Sequence, residues 1–239
     1  MAALDALTFW LRRQGTFWMM TLPIAGLAAA VAWVLETHRE FIDWRQHWGW
    51  EFLFALAYAM FLDRWIKEAL LDEATPCEEV DELRRSTIAV RFLTFASAFC
   101  VLALTTVPSP YIELNVVACA AAASVFVLLL PSLAAHAPLS LHEAFLLGRP
   151  VQAQLFLLIG GAIWLSLLAG IGLAWGVTLL PDRPWNAAGV AALQRAVDCL
   201  LLAFVGYGLA NIFRGLTDWQ QPEPADHPFR GMRLRARRT

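Results

Sequence analysis

The sequence predicts an all-α fold: a polytopic transmembrane helix bundle of six spans, with short helices lying at the interfaces. Three observations predict it. Hydrophobic residues make up 59% of the 239 residues and charged residues only 16%, where soluble domains carry roughly 45–50% and about 25%. Six stretches approach or exceed the roughly 20 apolar residues that a spanning helix needs. Lys and Arg are divided very unevenly between alternate loops. Together with a mean hydropathy of +0.56, this excludes an ordinary soluble enzyme, a disordered chain and a nucleic-acid-binding module, so no nucleic-acid partner is expected.

The elements follow in chain order. Leu4, Leu7 and Leu11 recur at helical spacing beside Arg12 and Arg13, which predicts a short helix along the inner leaflet. The first span covers about 17–35. Ala28-Ala29-Ala30 imitates a signal-peptide cleavage site, but the apolar run continues through Leu35, which is too long for a signal core and suits a retained anchor. In the outer loop, Phe41, Trp44 and Trp48 fall at i, i+3 and i+7; this fits either an amphipathic interfacial helix or a solvated loop with anchoring aromatics. His38 and His47 lie there among acids but lack metal-ligand spacing.

The second span covers about 48–71 and ends among charges. An inner loop follows, where Thr75 and Glu78 form a capping box for a surface helix that runs to Arg85, acids first and arginines last. Spans three and four, about 88–107 and 114–135, are separated by Pro108-Ser109-Pro110-Tyr111, a tight proline-broken turn. Ser140 and Glu143 then give S-x-x-E before an apolar run closed by Gly148 and Pro150. That is a capping box for a short helix over 141–147, and it makes Glu143 a cap rather than a catalyst. Spans five and six cover about 153–180 and 187–213. Residues 220–239 form a flexible basic tail, in which Arg230, Arg233, Arg235, Arg237 and Arg238 are candidate contacts for anionic lipids of the cytoplasmic face.

Fourteen of the 18 Lys and Arg lie on the side of the two termini. The positive-inside rule therefore puts both termini in the cytoplasm. Trp18, Trp33, Trp50, Trp65, Trp175 and Trp185 sit near span ends, as interfacial indoles do, and Trp164, in the middle of span five, is expected to pack.

Chemistry-bearing groups are few. The five histidines all lie outside the spans, which excludes a bis-histidine haem, and no cofactor or metal is expected. Glu78-Glu79 with Arg84 misses the spacing of prenyl-protein proteases by one residue. Cysteines 77, 100, 119 and 199 show no C-x-x-C pair, so a zinc ribbon is not supported. Arg195 and Asp198, at i and i+3 inside span six, form a candidate intramembrane polar pair. Gly172 and Gly176 form a G-x-x-x-G pair for helix packing, within the chain or between copies.

Three strings carry a resemblance. They are Trp65-Ile66-Lys67-Glu68-Ala69-Leu70-Leu71-Asp72-Glu73 at the inner end of span two, Leu130-Pro131-Ser132-Leu133-Ala134 leaving span four, and Ser140-Leu141-His142-Glu143-Ala144. In them the chain resembles a group of bacterial six-span membrane proteins. That group is loosely similar to Yip1-type proteins and to the membrane domain attached to some glycerophosphodiester phosphodiesterases. The resemblance implies the fold and an inner-membrane address, and no catalytic activity. The function expected is a non-enzymatic accessory or organising component of the membrane, with the lipid bilayer, a membrane-protein partner or a second copy as partners. The alternatives are a small-solute transporter or channel using Arg195 and Asp198, and, further off, an intramembrane lipid enzyme.

Overall fold

In the computed structural model, which describes residues 2–38, 44–70, 88, 91–100, 111–135, 139–179, 181 and 183–217, the described elements are all helical. They are α1 (Ala2–Arg12), α2 (Gln14–Thr37), α3 (Trp44–Leu70), α4 (Arg91–Cys100), α5 (Ile112–Phe126), α6 (Leu129–Ala134), α7 (Leu141–Gly148), α8 (Gln152–Thr178) and α9 (Pro184–Leu216), with a 3₁₀ turn at Arg149–Val151. By length and composition, three of them are long and apolar enough to cross a membrane: Gln14–Thr37, the run Leu141–Thr178 and Pro184–Leu216. The inner-loop helix to Arg85, the Pro108–Pro110 turn and the basic tail with its five arginines lie outside the described residues. So does Phe41 of the outer loop, whereas Trp44 and Trp48 fall in the first turns of α3.

α9 is the axis of the bundle. It packs against α1, α2, α3, α6 and α8, while α5 packs on α8. Two glycines let it approach its neighbours. A Cβ on Gly206 would stand 3.0 Å from Leu62 and 3.2 Å from Trp65 on α3. A Cβ on Gly208 would stand 2.9 Å from Leu158 on α8. One core joins Leu62, Ile66 and Leu70 to Leu128, Leu155, Leu209 and Phe213. A second joins Phe17, Ile24, Phe54, Phe61 and Trp65 to Cys199 and Ala203. Outside these cores the long helices are apolar as well: Met19, Leu22, Leu157, Leu165, Leu168 and Ile171 are exposed. A helix that is hydrophobic all round needs an apolar surrounding on its outer face.

Two tryptophans differ from the interfacial pattern. Trp65 is 0% exposed and donates its indole N–H to the carbonyl of Ala203 at 2.8 Å. It is a core residue because α3 turns that face toward α9, where Gly206 leaves room for the ring. Trp164 is 36% exposed; it lies on the outer face of α8 instead of packing inside. Trp18, Trp33, Trp175 and Trp185 are exposed.

The peripheral helices are fixed by local chemistry. α1 turns Phe9 inward, stacked on Tyr207 at 4.9 Å and edge-on to Trp65 at 5.6 Å, and leaves Leu4, Leu7 and Leu11 exposed. At α7, the Ser140 hydroxyl accepts from the Glu143 backbone N–H at 3.2 Å, and Glu143 accepts from the Ser140 backbone N–H at 2.8 Å. Two otherwise orphaned amide donors are thereby satisfied. Ser140→Ala is expected to cost about 0.5–2 kcal/mol, read as a lower thermal midpoint in detergent. An unchanged midpoint, with Glu143→Gln abolishing function, would make Glu143 more than a cap.

Candidate functional site

The polar centre of the bundle is Asp198, close to the midpoint of α9 and 8% exposed. Helical spacing puts Gln194 and Arg195 on the same face, four and three residues earlier. On α3, Glu51, Phe54 and Tyr58 share the facing stripe, at i, i+3 and i+7. α8 contributes Ser166. Each carboxylate oxygen of Asp198 receives two donors. Ser166 Oγ donates to Oδ1 at 2.6 Å and Gln194 Nε2 at 3.0 Å. Tyr58 OH donates to Oδ2 at 2.6 Å and Arg195 Nη1 at 3.4 Å.

Arg195 is held from several sides. Nη1 also donates to Tyr58 OH at 3.2 Å, and Nη2 lies 3.3 Å from Glu51 Oε1. Its guanidinium carbon sits 4.2 Å from the centroid of the Phe54 ring, within cation–π range. One guanidinium thus stands between two carboxylates and over an aromatic face. With about four lone-pair positions on a carboxylate, Asp198 has its acceptor capacity filled. Chemically the network ties α3, α8 and α9 together through one residue.

Beside this network runs an open-sided cavity of about 190 Å³ lined by residues of α3, α4, α5, α6, α8 and α9. Its wall is almost wholly apolar. Its polar groups come from Tyr58, Thr94, Ser97, Ser166 and Asp198. Ser97 donates to the Leu93 carbonyl at 2.9 Å. The hydroxyl of Thr94, a residue 3% exposed, has no hydrogen-bond partner among the described residues.

Compared with known proteins, the chain matches no protein family, no curated protein and no solved structure.

A second polar cluster joins the C-terminal part of α3 to its neighbours. Asp63 is buried and lies 2.9 Å from both Lys67 Nζ and Arg91 Nε; the latter ties α4 to α3. Glu68 receives Arg64 at 2.8 Å and Arg13 at 3.6 Å. The Arg214 guanidinium donates to the carbonyl of Leu70, the last residue of α3, where carbonyls lack helical partners.

The structure therefore brings Arg195 and Asp198 together and adds Glu51, Tyr58, Ser166 and Gln194, which sequence reasoning missed. Gln194 was visible as the i−4 neighbour of Asp198. The others needed knowledge of which helices face α9. Ser140 and Glu143 pair with each other, away from this centre. A Cβ on Gly172 or Gly176 would meet nothing within 4 Å. That pair faces open space, and the tight helix approaches are instead at Gly206 and Gly208.

Proposed function

We propose that the chain is a non-enzymatic integral protein of the bacterial inner membrane, with six spans and both termini in the cytoplasm, acting as an accessory or organising component of a membrane complex. The observation that carries this reading is the saturation of Asp198. A coupling or catalytic carboxylate needs free valence toward a solvated path. Here four donors occupy the carboxylate, and the adjoining cavity is apolar, so the group braces helices. The carboxylate at the centre of this network is saturated, while Gln194 Oε1 at its edge is buried without a partner among the described residues; buried polar contacts of this kind favour one packing of the core. Support for the six spans comes from the described helices, which overlap all six apolar stretches, and from the Lys/Arg asymmetry.

Reporter fusions test the topology. Those after Gly49, Pro110 and Asp182 are expected to report the periplasm, and those after Pro76, Pro138 and Thr239 the cytoplasm. A periplasmic C-terminal reporter would sink the six-span arrangement. Affinity purification in mild detergent is expected to bring down a stoichiometric membrane-protein partner, or further copies of the chain. Transport of a small solute through Arg195 and Asp198 is the competing reading. What favours it is that Asp198 touches the cavity; substitutions at the two residues separate the readings, as argued in the Discussion.

A further inference from the structure

We propose that the cavity beside Asp198 binds one acyl chain of a phospholipid, with the Thr94 hydroxyl donating to the ester carbonyl of that chain. The proposal rests on the reading of the chain as membrane-embedded, but not on its accessory role.

The size of the space comes first. At about 190 Å³ it exceeds the roughly 150 Å³ apolar cavity that stays dry and admits benzene. Water is a poor occupant. A buried water needs two to four polar partners, and the acceptor positions of Asp198 are already filled by Ser166, Gln194, Tyr58 and Arg195. Left uncovered, the apolar lining atoms would lack dispersion contacts on one side.

Shape narrows the ligand further. Along α9 the lining runs from Asp198 to Leu209, about 16 Å at the helical rise per residue. An open-sided apolar groove of that length suits a hydrocarbon chain lying along it better than a compact ring. Bilayer chains surround such a bundle at high concentration, and entry costs them no transfer from water.

Two observations then choose the chain's chemistry. The buried Thr94 hydroxyl lines the cavity without a partner among the described residues. A hydroxyl left without an acceptor carries a desolvation penalty, and an ester carbonyl is an acceptor that brings no competing donor. One helical turn before Thr94 stands Arg91, partly exposed and paired with Asp63. Its guanidinium, with a side chain 45% exposed, stands at the end of the groove where the phosphate of a head group would lie.

The test uses the full chain, delipidated in a maltoside detergent and titrated with dioleoyl-phosphatidylglycerol. Native mass spectrometry counts the lipids that survive collisional stripping. One retained phospholipid per chain is expected. Ala162→Phe, which puts a ring into the cavity, is expected to lower retention at least tenfold. Thr94→Val, nearly isosteric, is expected to lower it several-fold while gel filtration and circular dichroism stay unchanged. If Ala162→Phe fails to fold, Ala123→Leu, at a position that lines the cavity from α5, gives the same readout. Retention that is unchanged in folded variants of both kinds would overturn the assignment, as would uniform stripping of all lipid. Preferential retention of free oleate over phosphatidylglycerol would overturn the phospholipid as ligand. A protein recovered from the soluble fraction without detergent would overturn the membrane reading itself, whereas a monodisperse, detergent-requiring protein that strips clean overturns only the cavity assignment.

Discussion

Arg195→Gln is expected to lower stability by about 3–5 kcal/mol, the cost of removing one partner from a buried ion pair. The substitution leaves Asp198 and Glu51 facing each other across the site without the guanidinium that lies 3.4 and 3.3 Å from them. Asp198→Asn should be milder, because Arg195 keeps Glu51 and the Phe54 ring. The double variant Arg195→Gln/Asp198→Asn is expected to regain part of the loss, since only one charge then remains to be desolvated. Glu51 makes that recovery incomplete; adding Glu51→Gln removes the last charge and should bring the thermal midpoint in detergent closest to that of the unaltered protein. If these residues act as a brace, recovery of folding brings recovery of the cellular phenotype. A neutral triple variant that is well expressed, monodisperse and inactive in cells would overturn the bracing role and establish the transport reading. A single Arg195→Gln variant as stable as the double would show that the pair contributes little to the bundle.

The helices themselves were legible because each is an apolar run bounded by charge or proline, and that signal is local. The run about 17–35 lies inside the helix Gln14–Thr37, and the run about 187–213 inside Pro184–Leu216. The fourth run is the exception in detail. It is divided into Ile112–Phe126 and Leu129–Ala134, with Pro131 in the second piece, where a missing N–H weakens the ladder. Helix faces were much less legible. A helix that is apolar all round carries no amphipathic stripe to say which side meets a neighbour. That is why Asp198 could be recognised as a polar group in a span, while its partner Tyr58, 140 residues away, was missed. It is also why G-x-x-x-G pointed to Gly172 and Gly176. The motif records small size, not what stands opposite, whereas Gly206 and Gly208, two residues apart, turn toward α3 and α8 respectively.

Trp65→Ala is expected to be as damaging as Arg195→Gln, at about 3–5 kcal/mol for a large aromatic deleted from a close-packed core. The ring is stacked on Phe61 at 5.9 Å and meets Phe9 and Phe17 edge-on at 5.6 and 5.9 Å. It also fills the space that Gly206 leaves on α9. Removing it opens a void where α1, α2, α3 and α9 converge, and removes the N–H that reaches the Ala203 carbonyl. Trp65→Phe separates the two contributions. It keeps an aromatic body and loses the hydrogen bond, which should account for about 0.5–1.5 kcal/mol of the total. Trp18→Ala and Trp175→Ala, at exposed positions, serve as references for the loss of an indole from the surface. The thermal midpoint of Trp65→Ala should fall far below both. Equal midpoints for all three variants would return Trp65 to the role its place in the sequence suggests, an interfacial anchor, and would remove the contact that locks α3 against α9.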